Sequence, residues 1–161
     1  MISVKDAITE DQNQILDVVE KMRNYFTDKE IDLLLGLIKS YFTENKDRFL
    51  LKVAIDENKV LGFAIYKKAD LSESYWDIYW LVVSPDSHRR KIGTSLLENI
   101  EKEVRQNKGL NILIETSLSK KYEPARKLYE KMGYRQICVL EDYYAQNEGK
   151  ILYRKTLYVN R

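Results

Sequence analysis

The sequence predicts an α/β fold with a mixed central β-sheet of about seven strands flanked by four helices, in the order β-α-α-β-β-β-α-β-α-β-β. Three observations predict it. Runs rich in β-branched and aromatic residues alternate with stretches whose apolar residues recur at helical spacing. The run "YWDIYWLVV" stops at a proline, feeds a helix and is followed by a second apolar strand, a β-turn-α-β unit. A chain of 161 residues, 44% apolar and 32% charged, is long enough for one sizeable core and contains no linker. Residues 1–161 are therefore expected to form a single domain.

The elements follow in order. "MISVKDAI" reads as a short opening strand, and Thr9 with Gln12 offers a capping box for a helix whose stripe is Ile15, Val18, Val19 and Met22. A second capping box, Thr27 with Glu30, precedes "IDLLLGLIKSYF", where Leu34, Ile38, Tyr41 and Phe42 share a face. "FLLKVAI" and "VLGFAIY", separated by "DENK", suit a hairpin, and Gly62 marks an expected bulge. "YWDIYWLVV" ends at Ser84-Pro85, because proline cannot continue a ladder. Leu96, Leu97, Ile100 and Val104 make the next helical stripe, and "NILIETS" is a compact buried strand. Pro124 suits the first turn of a last helix with Ala125, Leu128, Tyr129 and Met132 on one face, which Gly133 stops. "YRQICVLEDYY" and "KILYRKTLYV" close the sheet around "AQNEGK". Cys138 is expected to be a small buried residue on the first of these strands.

Composition excludes several function classes. The net charge of +2 lacks the basic excess of a nucleic-acid binder, so any positive field is local. One cysteine allows no internal disulfide, and with one histidine it provides no metal site. The first residues lack the pattern of a secretion signal, and no apolar run approaches the roughly 18 residues a membrane span needs. The expected setting is the cytoplasm, with no membrane, nucleic-acid or metal partner.

The segment "SPDSHRRKIGTSLLENI" sets His88, Arg89, Arg90, Lys91 and Gly93 just ahead of a helix. A strand that turns into a helix aims free backbone N–H groups and the positive end of the helix dipole at one point, which attracts phosphate. The residues alone leave two readings open, an anion site or a solvated basic turn. The glycine patterns of P-loops and of dinucleotide-binding turns are absent.

Element order and residues together resemble the GNAT superfamily of acyl-CoA N-acyltransferases over nearly the whole chain. "LVVSPDSHRRKIGTSLL" is similar to that family's strand, Gln/Arg-x-x-Gly-x-Gly/Ala turn and helix, and "ARKLYEKMGY" is similar to its later helix with a Gly-aromatic pair. The resemblance implies acetyl-CoA as co-substrate and no metal. It implies that the backbone of Leu81, Val82 and Val83 pairs with pantetheine, and that Arg89, Arg90, Lys91, Ile92, Gly93 and Thr94 hold the diphosphate. Two departures stand out: His88 where the family has Gln or Arg, and Lys91 where it has its first Gly. A left-handed conformation at Lys91 would cost on the order of 1–2 kcal/mol, and its charge is expected to offset part of that. His88 either binds phosphate or is a solvated turn residue. Tyr122 takes the place of an Asn that contacts the cofactor in many relatives.

The implied reaction is direct attack of a primary amine on the thioester in a ternary complex. An alkyl ammonium, with a pKa of about 10.4, must first lose its proton. Two bases stay open: Asp77, matching the glutamate of related histone acetyltransferases, and Glu115, matching the strand glutamate of ribosomal-protein acetyltransferases. An N–H of the Leu81–Val83 segment is the implied oxyanion donor, and Tyr129 matches the family's tyrosine acid, although its stripe also suits a core aromatic. Tyr25, Tyr75, Tyr79, Tyr143 and Tyr144, with Asp77, Glu141 and Asp142, would give the acceptor an aromatic and acidic wall suited to a cationic amine on a small molecule or peptide. The alternative is a non-catalytic acyl-CoA sensor or interaction module. Whether the chain forms a homodimer is left open.

Overall fold

A computed structural model of the chain describes residues 1–43 and 48–158. Among these residues there are seven strands, β1 (Ser3–Asp6), β2 (Leu50–Asp56), β3 (Lys59–Lys68), β4 (Tyr75–Val83), β5 (Asn111–Ser117), β6 (Arg135–Ala145) and β7 (Glu148–Thr156). Four α-helices accompany them, α1 (Gln12–Lys21), α2 (Asp28–Thr43), α3 (Ile92–Gln106) and α4 (Glu123–Lys131). The element order is the predicted one, and the sheet runs β1-β2-β3-β4-β5-β7-β6. Val159, the last residue of the predicted final strand, lies outside the described residues. No helix among them is long and apolar enough to cross a membrane.

Compactness divides the chain into two units, residues 1–67 with 80–99 and residues 68–79 with 100–161. The first unit centres on Ile15, Val19, Ile31, Leu34, Ile38, Val53 and Phe63, all fully buried. Its helices begin differently. At α2 the expected capping box forms: the Thr27 N–H donates to the Glu30 carboxylate (2.7 Å), and the Glu30 N–H donates to Thr27 Oγ1 (3.2 Å). Before α1 the predicted Thr9–Gln12 box does not form: Thr9–Asp11 is a 3-10 turn, closed at its start by Asp11 onto Ile8, and Asp11 makes no side-chain cap to α1. The Asp11 carboxylate accepts the Ile8 N–H (3.0 Å) and the Lys5 ammonium (2.6 Å), a charge-assisted bond to β1.

The β2–β3 hairpin turns through Glu57 and Asn58, both at positive φ (48° and 65°), as a two-residue primed turn requires. Its register slips so that Ala54 faces Gly62 and Ile55 faces Val60, which leaves Leu61 as the extra residue beside Gly62. A Cβ on Gly62 would lie 2.7 Å from the Val82 carbonyl oxygen and 3.0 Å from Ile92 Cγ2, so this glycine permits the close approach of β4. The Ser84 N–H then donates to the Leu61 carbonyl (2.8 Å), fixing where β4 ends.

In the second unit, β5 pairs antiparallel with β7, and β7 with β6. Helix α4 starts with proline in its first turn and ends at Gly133 (φ +90°), where the Tyr134 N–H donates to the Tyr129 carbonyl (2.9 Å). Arg126 ties α4 to the end of β5 by donating to the carbonyls of Ser117 (2.7 Å) and Ser119 (2.9 Å). Strand β6 departs from expectation: it is exposed along its whole length, and Cys138 with it. The outermost place in the sheet order leaves that cysteine accessible.

Candidate active site

The cationic turn belongs to the first unit. After β4, Pro85–Ser87 forms one 3-10 turn, and His88, Arg89, Arg90 and Lys91 follow, all exposed. Arg89 and Lys91 sit at positive φ, 65° and 58°. Lys91 thus adopts the left-handed conformation its place in the motif implied, and the strain comes with it. Its carbonyl accepts the Ser95 N–H (3.0 Å), the first α-helical bond of α3, so the N–H groups of Ile92, Gly93 and Thr94 have no partner within the helix. Ile92 and Gly93 are buried, and Thr94 is half-buried. These N–H groups beside exposed cations fit a diphosphate.

Two ion pairs staple the turn. Lys21 of α1 holds Asp86 (2.5 Å), and Asp56 at the end of β2 holds Arg90. The Asp56 carboxyl is kept below its ordinary range by the Met1 amine and by Arg90, and that of Asp86 by Lys21. Arg90 is therefore drawn toward a carboxylate, leaving Arg89 and Lys91 as the more available cations. His88 packs edge-on against Tyr25, with ring centroids 6.1 Å apart.

Within the second unit β4 pairs parallel with β5 from Tyr75↔Asn111 to Ile78↔Ile114. Leu81, Val82 and Val83 end β4 within the first unit, with Val82 buried and the other two half-buried.

The second unit carries the two candidate bases together. Asp77, Ile78 and Tyr79 of β4 and Leu113 and Glu115 of β5 line one cleft of about 250 Å3. Parallel register does this: Asp77 stands opposite Leu113, so Tyr79 and Glu115 follow two residues on along each strand. Glu115 is half-exposed and ion-paired to Lys150 of β7. Of the other residues expected at the acceptor wall, Tyr143 stands over Lys150, with the ammonium 4.2 Å from its ring centroid. Tyr25 lies against His88, Tyr75 receives Arg154 Nη1 (3.5 Å), and Tyr144 packs on Tyr143 (5.0 Å). Glu141 and Asp142 occupy an exposed irregularity of β6. Lys150 was not singled out by the sequence; its only signal there was an alternating strand with a lysine on a half-buried face.

Tyr129 of α4 is 5% exposed and makes edge-to-face contacts with Tyr134 (6.1 Å) and Tyr153 (5.8 Å). Burial pushes its phenol well above the ordinary value, with a further contribution from Tyr153, so it stays protonated at neutral pH. Both neighbours direct their hydroxyls to carboxylates, Tyr134 to the buried Glu101 (3.1 Å) and Tyr153 to Glu130 (3.0 Å). Tyr122 ends the 3-10 turn before α4, half-buried, with the Lys121 ammonium 5.0 Å from its ring centroid.

A family model, acetyltransferase (GNAT), matches residues 13–134. The chain belongs to the GNAT acetyltransferase family. It is an N-acetyltransferase of that family, whose members use acetyl-CoA. Among curated proteins it is similar to the ribosomal protein bS18-alanine N-acetyltransferase of Salmonella typhimurium, 29% identical over 112 residues that cover 69% of this chain and 72% of that one. Among solved structures it is similar to a GNAT-family acetyltransferase from Desulfovibrio desulfuricans, with TM-score 0.88, 27% identity and coverage of 97% of this chain and 99% of the other. The fold is shared with an aminoglycoside 6'-N-acetyltransferase complexed with coenzyme A, at TM-score 0.76, 20% identity and coverage of 100% and 99%.

Proposed function

We propose that this enzyme moves an acetyl group from acetyl-CoA to a primary amine by direct attack, and that its two units act as one cytoplasmic catalytic domain. The observation that carries the reading is the single cleft lined by Asp77 and Glu115. A carboxylate facing an alkyl ammonium first binds it and then accepts its proton, directly or through water. Relatives named for a protein alanine and for an aminoglycoside both act on amines.

The remaining roles follow from the chain's own groups. The N–H groups of Ile92, Gly93 and Thr94, with Arg89, Arg90 and Lys91, hold the diphosphate, and His88 and Tyr122 flank the cofactor. The Leu81–Val83 backbone pairs with pantetheine and donates one N–H to the developing oxyanion, a donor already fixed by the strand. The new C–N bond forms as the C–S bond breaks. The ammonium proton passes to Asp77 or Glu115, and Tyr129 gives its phenolic proton to the departing thiolate.

Thiol release from acetyl-CoA with a panel of amines tests this. Tyr129→Phe is expected to lower kcat by about 100-fold or more while the dissociation constant for coenzyme A stays within about twofold of wild type. Equal turnover in the two proteins removes Tyr129 from the mechanism. Asp77→Asn and Glu115→Gln, assayed separately, identify the base by which one lowers kcat sharply while coenzyme A binding is kept. Cofactor binding with no turnover on any amine would favour the sensor.

A further inference from the structure

Tyr134 follows the Gly133 that stops α4, and it is buried. It touches Tyr129 twice: its N–H donates to the Tyr129 carbonyl (2.9 Å), and the two rings meet edge-on with centroids 6.1 Å apart. The Tyr134 hydroxyl donates to Glu101 of α3 (3.1 Å), a carboxylate that is itself buried. Lys155 of β7 closes the cluster, since its ammonium donates to the other Glu101 oxygen (2.8 Å) and lies 5.5 Å from the centroid of the Tyr134 ring. Arg105, one turn further along α3, brings a second cation to 3.9 Å from Glu101. Burial first, and Glu101 next, push the Tyr134 phenol far up, so it keeps its proton and its donated bond at neutral pH.

Packing alone does not call for these polar groups. Phenylalanine at 134 and an apolar residue at 101 would fill the same space, and replacing a buried charged cluster by apolar groups of similar volume is often neutral or stabilising. What the cluster adds is orientation, because a hydroxyl tied to a buried carboxylate holds its ring to one geometry. On the other side of Tyr129 the Tyr153 ring, 5.8 Å away, is tied in the same manner to Glu130 (3.0 Å). The Tyr129 hydroxyl between them makes no hydrogen bond to any described residue. Two of the three phenols are committed, and the middle one is left to donate to a ligand.

We infer that Tyr134, held by Glu101, is a positioning residue for Tyr129: it fixes the ring whose hydroxyl meets the departing sulfur. This deepens the proposed function and rests on its assignment of Tyr129 as the acid. Tyr134 keeps its own proton throughout and acts only through its ring and its N–H. A tyrosine that merely filled the core would add to stability and leave the contribution of Tyr129 untouched.

Thiol release from acetyl-CoA with butylamine and with a peptide that begins with alanine decides it, for wild type, Tyr134→Phe, Glu101→Leu, Tyr129→Phe and each of the first two combined with Tyr129→Phe. Tyr134→Phe keeps the ring but frees it, and Glu101→Leu frees it from the other side, so either one alone carries the test. Each is expected to lower kcat about tenfold, with KM for acetyl-CoA and the affinity for coenzyme A within about twofold of wild type. Combined with Tyr129→Phe the losses should not multiply: kcat should match that of Tyr129→Phe within about twofold, because no acid remains to be positioned. Wild-type kcat in Tyr134→Phe or in Glu101→Leu overturns the inference. So does a further loss of about tenfold on top of Tyr129→Phe, which marks a purely structural role. If Tyr129→Phe turns over like wild type, or wild type uses neither amine, the proposed function fails at its acid or at its reaction, and the inference falls with it.

Discussion

At Lys91 the proposed binding role stands against a cost in folding. Its φ of 58° is a conformation a glycine adopts at no steric cost, and lysine pays roughly 1–2 kcal/mol for it. Glycine would in turn cost about 0.5–1 kcal/mol in the greater freedom of the unfolded chain. Lys91→Gly should therefore gain only about 0.5–1 kcal/mol of stability, read from its denaturation midpoint. The lysine's charge lies where Arg90 is already drawn to Asp56, so its removal should weaken coenzyme A binding severalfold and flatten the salt dependence. A protein both more stable and weaker in binding would show that the strain is retained for the charge. A large gain in affinity would instead show that Lys91 is merely a defect in the turn.

Among the elements, β3 and β4 meet at Gly62, where the fold would constrain the proposed cofactor segment. A methyl group there would meet the Val82 carbonyl oxygen at 2.7 Å, and that oxygen belongs to backbone, which cannot rotate away. Gly62→Ala should cost about 1–3 kcal/mol of stability and weaken coenzyme A binding more than a comparably destabilising change in α2, such as Ile38→Val. Thermal midpoints and calorimetry on both variants check this, and equal affinities would uncouple β3 from the cofactor segment. The sequence legibly marked elements governed by local rules: the Thr27–Glu30 box, the hairpin through Glu57 and Asn58, and the compact "NILIETS" strand. What it hid depends on distant partners. Asp11 closes the 3-10 turn ahead of α1 onto Ile8 while Lys5 of β1 holds its carboxylate, and Cys138 is exposed because β6 comes last in a sheet order that no local pattern encodes. Asp77 and Glu115 could each be named from a family resemblance. Their shared cleft required the β4–β5 register, and Lys150 required a diagonal reach across β5 and β7.

For the molecule as a whole, the ionisable groups that tie stability to pH fall into different units. Asp56 and Asp86, in the first, have depressed carboxyl pKa values; their contribution is present above the ordinary carboxylate value of about 3.9 and is lost as pH falls through the folded values. Tyr129, Tyr134 and Tyr153, in the second, have raised phenol pKa values. Burial is the first cause in each, and Glu130 helps push Tyr153 up to about 12. Above a pH of about 10 an unfolded chain releases these protons while the folded chain keeps them, so stability is intact below that value and falls as pH rises. Each such phenol adds a slope of about 1.4 kcal/mol per pH unit. Because Tyr129 keeps its proton longer than the unfolded chain does, alkali should unfold the enzyme before it titrates the proposed acid. Denaturant unfolding of wild type and Tyr153→Phe across this alkaline range separates the phenol from the lysines, which titrate alike in both proteins. The variant should lose stability less steeply between the ordinary tyrosine value and about 12, by the slope of one phenol. Parallel curves would mean that Tyr153 ionises as freely in the folded chain as in the unfolded one, and that its contact with Glu130 carries no linkage to folding.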